Sequence, residues 1–332
     1  MESKKLNQNK LLDIILIPEV TSLIPVVVVV IIATMLNPVF LSGDNLLTLC
    51  SSLIAAWGLL SIGQAFVIIS GGIDISLGTT LSFAGMMFAY VARKQAPLTV
   101  CILVVIAVCV GMSLLSSLLI LKFKVSAFVS TMCVSYIGKG MANYITSGVD
   151  LSVLNGTRES VVRFVEIMGK KPLGLSIGMY VFIAMILLAQ FVLKRTAFGR
   201  QVYAVGDSAQ VAKIAGIRVS RVKTLCFVIA GLMTALTTII WVGYYRGCTP
   251  TQGNPWCFIT VAAVAMGGVS LRGGNGSMYG VFLGVLLMGL VYNLITLLNV
   301  DANYQNIFIG VFLVLAVVID TVRREKTLGK NI

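Results

Sequence analysis

Long runs of apolar residues, separated by short polar stretches, extend over most of the chain. A helix that crosses a membrane needs about 20 apolar residues, and fewer when it is broken or re-entrant. The pattern therefore predicts ten membrane segments. They lie at about 20–40, 46–70, 76–92, 98–121, 125–147, 175–193, 223–245, 256–269, 278–298 and 304–321. The eighth segment is short and follows Pro250 and Pro255, so a re-entrant segment is the alternative there.

The composition favours a membrane protein over a soluble one. Of the 332 residues, 58% are hydrophobic and only 11% are charged, whereas about 25% are charged in ordinary globular chains. A soluble fold of this size could not cover its surface with so few charges. We therefore expect an all-α polytopic membrane protein of about ten transmembrane helices, some broken or re-entrant, as a single domain over 1–332.

The basic residues predict how the segments are oriented. The formal net charge is +13, and most of the 25 Lys and Arg residues fall on one side if all ten segments cross. Cytoplasmic loops carry an excess of Lys and Arg, so both termini are expected in the cytoplasm. The cytoplasmic parts are then the tail 1–19, the loop 194–222 and the tail 322–332. This rule accounts for the basic residues without nucleic-acid contact, and membrane lipid is an expected partner of the chain.

The sequence lacks the residues that several kinds of catalytic and binding site require. The chain has no histidine, which excludes a Ser-His-Asp or Cys-His nucleophile and any histidine-ligated metal. It has no G-x-x-x-x-G-K-[ST] run, so we expect no nucleotide site of its own. The seven cysteines form no C-x-x-C pair, and a Cys248–Cys257 disulfide stays open. We expect no catalytic residues, no metal site and no cofactor bound by this chain.

The loop 194–222 contains the pattern of a short helix. Asp207 suits an N-cap, Gln210 follows three residues later as in a capping box, and Gly216 suits the position after the last turn. The pattern predicts a helix of about eight residues at 208–215. Its apolar stripe consists of Val211, Ile214 and Ala215. Such a helix is marginal alone in water, so it packs either on the membrane domain or on a partner protein.

Some polar residues near or inside the segments have two possible roles. Asp74 follows two glycines at a segment boundary and either caps the next helix or lines and gates a path. Lys139 lies inside 125–147, where it either reaches towards the outer face or lines a cavity. Asn143, one turn later, shares its helix face. A polar face of this kind suits a path for hydroxylated solutes.

Small and aromatic residues predict how the segments pack. Gly276, Gly280 and Gly284 recur at four-residue spacing, which is typical of a helix stripe for close packing. Aromatic residues near the outer ends of segments are expected to be interfacial anchors, with stacking on a sugar as the alternative. These residues are Trp241, Tyr244, Tyr245 and Trp256.

Four stretches resemble one family, the ribose/xylose/galactose-type permeases of ABC importers. Residues 198–219 resemble its coupling loop, and S-G-G-I-D-I-S-L-G at 70–78 resembles its S-G-G-I-D-L-S-V-G hallmark. The sequence G-G-V-S-L-R-G-G-N-G-S at 267–277 resembles its glycine-rich turn, and 311–320 resembles its last span. The stretch W-C-F-I-T-V at 256–261 departs from the Y-E-L-D-A-I that many members carry before that turn.

The resemblance implies the ABC importer permease fold and a path for a monosaccharide or similar solute, opened by alternating access. It implies a second permease copy or paralogue, an extracytoplasmic sugar-binding protein, and a cytoplasmic ATPase, with tandem domains, that binds ATP and Mg. The implied location is the inner membrane of a prokaryote. A self-contained ion-coupled transporter or channel is the alternative, for which Lys139 is the clearest intramembrane ionisable group.

Two sets of candidate site residues follow. The set assigned to ATPase coupling consists of Gly199, Arg200, Tyr203, Gly206, Asp207, Ala215, Gly216, Ile217 and Arg218. The set assigned to the translocation path or its gate consists of Gly71, Gly72, Asp74, Lys139, Asn143, Gly273 and Gly274.

Overall fold

The structure is a computed structural model that describes residues 18–154 and 156–301, with side chains from Leu23 onward. Farther along the chain it describes Tyr304, Ile307, Phe308, Gly310, Val311, Val314 and Val318. The predicted tail 322–332 lies outside the described residues, as do most of the tail 1–19 and much of the segment 304–321.

The regular structure of the described residues is almost entirely helical. Its helices are α1 (Pro18–Leu36), α2 (Gly43–Ile69), α3 (Leu77–Arg93), α4 (Leu98–Leu121), α5 (Ala127–Thr146), α6 (Glu159–Met168), α7 (Ile177–Arg195), α8 (Ala197–Asp207), α9 (Ala209–Ile214), α10 (Val219–Tyr245), α11 (Trp256–Met266) and α12 (Met278–Leu297). Helix α2 includes a π-helical turn at Cys50–Ile54. Two short strands, β1 (Leu151–Ser152) and β2 (Gly247–Cys248), pair antiparallel.

The helices follow the apolar pattern of the sequence. Within the described residues, α2, α4, α7, α10 and α12 are long and apolar enough to cross a membrane. Two shorter apolar helices accompany them, at Leu23–Leu36 and Trp256–Met266. The prediction of an all-α polytopic membrane protein is therefore confirmed.

Hydroxyl side chains begin many of these helices. In each case the hydroxyl oxygen accepts the backbone N–H three residues later, which satisfies one of the free donors of the first turn. The residues that do so are Ser42, Ser126, Ser176, Thr196, Ser208 and Ser277. Such caps fix where each apolar run starts as a helix.

Helix α2 lies at the centre of the molecule, and every residue of Ala55–Ile69 is buried. Small residues allow other helices to approach it closely. A Cβ on Gly63 would lie 2.8 Å from the Cα of Ala230 in α10, and a Cβ on Gly58 would lie 2.4 Å from the ring of Phe182 in α7. The core is therefore built around α2, with α10 packed directly on it.

The predicted glycine stripe is correct for two of its three members. A Cβ on Gly280 would lie 2.0 Å from the carbonyl oxygen of Gly267, and a Cβ on Gly284 would lie 1.8 Å from that of Ala263, so α11 and α12 pack through these positions. The prediction was wrong for Gly276, which precedes α12 and has φ +147°. Its backbone belongs to a turn, where a helical stripe cannot extend.

Irregular backbone occurs in two partly buried places, at 70–76 between α2 and α3 and at 249–255 before α11. The stretch 249–255 meets the start of α3, because a Cβ on Gly78 would lie 1.9 Å from the carbonyl oxygen of Gly253. Helix α11 has 11 residues and so covers about 16 Å, roughly half the hydrocarbon thickness of a membrane. Non-helical backbone at membrane depth is tolerated where it is buried in protein or lines a water-filled path. Here Asp74 and Gly253 are buried, whereas Gly71 and Thr251 are exposed.

Candidate functional site

The loop between α7 and α10 folds into two short helices, α8 and α9. Thr196 caps α8 by accepting the N–H of Gly199 at 3.1 Å, and Ser208 caps α9 by accepting the N–H of Val211 at 3.3 Å. Helix α8 was not predicted, although its spacing of buried Gly199, Val202 and Val205 follows a helix face. The loop is thus a folded unit that lies against the membrane helices.

The predicted start of the second helix was wrong by one residue. Asp207 is the last residue of α8, and Ser208 is the N-cap of α9, with φ −153° and ψ 107°. An N-cap needs extended backbone, and Asp207 is still helical because α8 runs into it. Gln210 therefore does not complete a capping box, and the helix has six residues rather than about eight.

The predicted end of this helix is confirmed. Gly216 has φ +83°, its N–H donates to the carbonyl of Lys213 at 3.1 Å, and the N–H of Ile217 donates to that of Ala212 at 2.9 Å. This pair of bonds is the Schellman motif, which requires the left-handed conformation that glycine adopts without steric cost. The direction of the chain after α9 is therefore fixed.

Helix α9 turns its large apolar side chains away from the protein. Val211 is 64% exposed and Ile214 is 87% exposed, whereas Ala212 between them is 2% exposed. Ala215 is exposed as well. A small residue thus attaches the helix to the molecule, and the predicted apolar stripe is left open for contact with another surface.

Three turns converge at the end of α8, at what we call the glycine junction (Gly71, Gly206, Gly273 and Gly274). A Cβ on Gly206 would lie 1.8 Å from the carbonyl oxygen of Ile69 and 2.5 Å from the nitrogen of Gly274. A Cβ on Gly273 would lie 2.9 Å from the Cα of Gly71. The N–H of Gly274 donates to the Ile69 carbonyl at 2.9 Å, so backbone touches backbone across all three turns.

The junction brings together residues that the sequence placed in two separate sets. Gly206 came from the coupling set, whereas Gly71, Gly273 and Gly274 came from the path set. The last three have positive φ values of 78°, 94° and 75°, which glycine alone adopts readily. Gly72 is different, because its φ is not positive and a Cβ there would lie 3.2 Å from a Val67 methyl carbon.

Tyr203 ties α8 to the same region. Its hydroxyl donates to the carbonyl oxygen of Gly276 at 2.7 Å, and the Lys194 Nζ lies 5.6 Å from the centre of its ring. Burial raises the pKa of the Tyr203 hydroxyl, which keeps the hydrogen-bond donor protonated. The side chain therefore holds the turn 273–276 to α8.

The remaining coupling residues divide between an inner and an outer surface. Gly199 is buried, with a would-be Cβ 2.2 Å from the Leu193 carbonyl oxygen, and Ile217 is half-buried. The exposed members are Arg200, Asp207, Ala215, Gly216 and Arg218. Within the described part of the chain, no salt bridge holds the exposed cations of this loop.

Asp74 lies fully buried in the irregular stretch after α2. Its Oδ1 accepts the backbone N–H of Ser76 at 2.8 Å and the Ser76 hydroxyl at 2.6 Å, and Ser76 is the residue that begins α3. Its other carboxylate oxygen has no hydrogen-bond partner among the described residues. In this structure the side chain organises the start of α3 and faces no solvent.

Lys139 and Asn143 lie on α5, whose two faces differ. One face is buried against α3 and α4, where a Cβ on Gly138 would lie 3.4 Å from the backbone of Thr79. The opposite face is exposed and includes Lys139 and Tyr144. The Asn143 amide donates to the carbonyl of Lys139 at 2.8 Å, so it is engaged within the helix.

The predicted interfacial anchors Trp241 and Trp256 were assigned wrongly. Both are buried, at 8% and 6% exposure, and form an aromatic column with buried Trp57 and partly exposed Tyr245. Ring centres are 4.0 Å apart for Trp241 and Tyr245, 4.6 Å for Trp241 and Trp256, and 6.4 Å for Trp57 and Trp256. A position at the end of a segment predicts how deep a residue lies in the membrane. It does not predict whether the side chain faces lipid or protein.

The described residues contain neither a candidate metal site nor a disulfide. No group of three or more His, Cys, Asp or Glu side chains there could hold a metal ion. All seven cysteines are free thiols, including Cys248 and Cys257, which the sequence left as a possible disulfide.

Comparison with known proteins gives one family over most of the chain. Residues 46–317 match the family described as branched-chain amino acid transport system, permease component. The ribose import permease protein RbsC of Haemophilus influenzae is 29% identical over 310 residues, which cover 93% of this chain and 95% of that protein. RbsC of Bacillus subtilis is 33% identical over 88% of this chain and 89% of its own length. The L-arabinose transport system permease protein AraH of Escherichia coli is 27% identical over 81% and 80%. No solved structure matches the chain.

Proposed function

The chain belongs to the permease family of ABC importers, and we propose that its path carries a monosaccharide or similar small hydroxylated solute by alternating access. The relatives named for ribose and arabinose support this solute class. They also favour the ABC importer over the ion-coupled carrier that the sequence left open. The observation that carries the mechanism is the exposed apolar stripe of α9, fastened to the core by the glycine junction.

The stripe of α9 is the contact with a separate ATPase subunit, which has tandem domains and binds ATP and Mg. A six-residue helix with Val211 and Ile214 in water is unstable unless another surface covers it. The chain carries no P-loop of its own, so nucleotide chemistry belongs to that partner. Arg200 and Arg218, exposed beside the stripe, suit acidic groups on the ATPase.

The glycine junction transmits the movement of the ATPase. Backbone contacts among the ends of α2, α8 and the turn 273–276 leave no side chain to yield between them. A shift of α9 and α8 therefore displaces the end of α2, which lies at the centre of the membrane domain. ATP binding and hydrolysis on the partner change the populations of two conformations of this domain.

The exposed face of α5 lines the path, between this chain and a second copy or paralogue. A charged side chain that faces lipid near the membrane centre costs about 2.5–3.5 kcal/mol on translocon scales. Lys139 avoids that cost if its face meets water or the second subunit. Asp74, Gly71 and Gly273 contribute to the gate through the start of α3 and the junction rather than by touching the solute.

The proposed orientation places the α7–α10 loop and both termini in the cytoplasm of a prokaryote, with the chain in the inner membrane. The loop is rich in Lys and Arg, as the positive-inside rule requires. The opposite side, with α6 and the β1–β2 pair, then faces an extracytoplasmic sugar-binding protein that delivers the solute.

The variant Ile214→Asp tests the contact with the ATPase. Burial of an isoleucine contributes about 1.5–3 kcal/mol, so its loss should weaken the association about 10- to 100-fold. We expect the variant to lose copurification of the ATPase and solute-stimulated ATP hydrolysis in proteoliposomes. Ile167→Asp, at a 49% exposed position of α6 on the opposite side of the molecule, is the matched control and should retain copurification of the ATPase. Normal hydrolysis and copurification in Ile214→Asp would refute the proposal, as would uptake by the isolated chain driven by an ion gradient.

A further inference from the structure

A cavity of about 520 Å³ opens at the end of α10 that lies opposite the α7–α10 loop. The pair β1–β2 forms one side of it, with Leu151 opposite Cys248. This pair joins the connection after α5 to the irregular stretch 249–255. The cavity therefore lies where the outer end of the proposed path helix meets the irregular stretch 249–255.

An aromatic surface forms one wall of the cavity. Tyr245 is 46% exposed, and its other side stacks on Trp241 with the two ring planes 27° apart. Trp241 is held in turn by the edge of Trp256. The exposed tyrosine ring is thus backed by buried aromatic rings and presents a firm, flat surface to the cavity.

Polar groups surround this aromatic wall. Asp150 and Arg246 line the cavity, both are exposed, and neither forms a salt bridge within the described residues. The backbone of Arg246 is fixed, because its carbonyl accepts the N–H of Val153 at 3.0 Å. Gln252 also lines the cavity, and its side-chain oxygen accepts the N–H of Thr249 at 3.4 Å, which leaves its NH2 group as a donor.

We propose that this cavity is a binding subsite for the solute at the outer mouth of the permease, with a preference for a neutral hydroxylated ring. The apolar C–H face of such a ring packs on Tyr245, while its hydroxyls donate to Asp150 and accept from Arg246 and Gln252. Binding pockets for small molecules combine an aromatic lining with a few placed polar groups in this way. This inference rests on the proposed function and names the residues that meet the solute after its release from the binding protein.

The chain provides its own optical probe of the subsite. Its three tryptophans, Trp57, Trp241 and Trp256, all belong to the aromatic column behind Tyr245. We expect D-ribose or L-arabinose, added to the purified full chain in lipid nanodiscs, to change tryptophan emission in a saturable manner. The absence of a saturable change in tryptophan emission with either sugar would overturn the proposal.

Variants show whether the change in tryptophan emission comes from sugar bound at the subsite. Tyr245→Ala removes one stacking contact and should raise the apparent Kd of the sugar about fivefold, whereas Tyr245→Phe should retain binding. Tyr279→Ala, at a 55% exposed tyrosine of α12 outside the cavity, is the control and should leave the Kd unchanged. An equal Kd for Tyr245→Ala and Tyr279→Ala would overturn the assignment.

Two further measurements decide what occupies the cavity. An acid and an arginine could also hold a zwitterion, so saturable binding of L-leucine in place of the sugars would overturn the stated ligand class. A loss of binding-protein affinity in Tyr245→Ala, with unchanged sugar Kd, would show that the cavity docks that protein instead. The coupling assay on Ile214→Asp is independent of these results, so failure of the subsite and failure of the proposed function are separable.

Discussion

Replacing Gly206 by alanine would place a methyl carbon 1.8 Å from the Ile69 carbonyl oxygen and 2.5 Å from the Gly274 nitrogen. Both neighbours are backbone atoms, so no side chain can rotate away. The end of α8 must retreat until the first contact reaches at least 3.0 Å, the shortest that real Cβ atoms show. The methyl group would also press on both partners of the hydrogen bond from Gly274 to Ile69, which is 2.9 Å long in the structure, and the displacement of these groups weakens that bond.

Two costs add in this variant. Inserting a methyl group into a close-packed site destabilises by about 1–3 kcal/mol, and losing a backbone hydrogen bond costs about 0.5–1.5 kcal/mol. We expect Gly206→Ala to lower the free energy of unfolding by about 2–4 kcal/mol. Because the junction links α8 to α2, we also expect it to reduce solute-stimulated ATP hydrolysis more than ATPase copurification.

The assay compares Gly206→Ala with Gly111→Ala in the same detergent and the same proteoliposomes. Gly111 lies inside α4 with open space around its would-be Cβ, so alanine there should be neutral or slightly stabilising. Denaturant unfolding gives the stability, and hydrolysis in the presence of binding protein and solute gives the coupling. Equal stability and equal stimulation in the two variants would refute the account of the glycine junction.

Three other variants test separate contacts. Tyr203→Phe removes the hydroxyl that donates to Gly276; we expect about 1 kcal/mol of lost stability in denaturant unfolding, and no loss would show that the bond is unimportant. Asp74→Ala removes the acceptor for the Ser76 N–H and should destabilise by about 0.5–2 kcal/mol, whereas Asp74→Asn keeps the acceptor and should lose less. Lys139→Met should slow solute uptake with basal ATP hydrolysis unchanged; unchanged uptake with higher stability would instead place Lys139 against lipid.

Local sequence signals predicted the parts of the loop that depend on neighbouring residues. The left-handed position of Gly216 is a short-range property, because the Schellman bonds join residues within the same turn. The start of α9 was predicted less well, since Asp207 and Ser208 are both good N-caps. The choice between them depends on where α8 ends, and α8 is stabilised by packing of Val202 and Val205 on the membrane helices.

The features that the sequence did not predict depend on contacts between residues that are far apart in the chain. Gly71, Gly206 and Gly273 are far apart in the chain, and no periodicity indicates that their turns touch. The same limit explains Trp241 and Trp256, whose position near segment ends is compatible with lipid or with protein. The motif resemblance did mark all three glycine stretches, but as separate features rather than as one contact.

The burial of α2 has a consequence for biosynthesis. Ala230, which covers Gly63, is translated more than 160 residues later. At about 5–20 residues per second, the ribosome takes roughly 10–30 s to supply that cover. During this interval the polar side chains of Ser61 and Gln64, which the finished protein encloses, must be sheltered by the insertion machinery or by helices made earlier. Assembly of the centre is thus a late event of synthesis, and nascent chains truncated before α10 should be prime targets for membrane quality control.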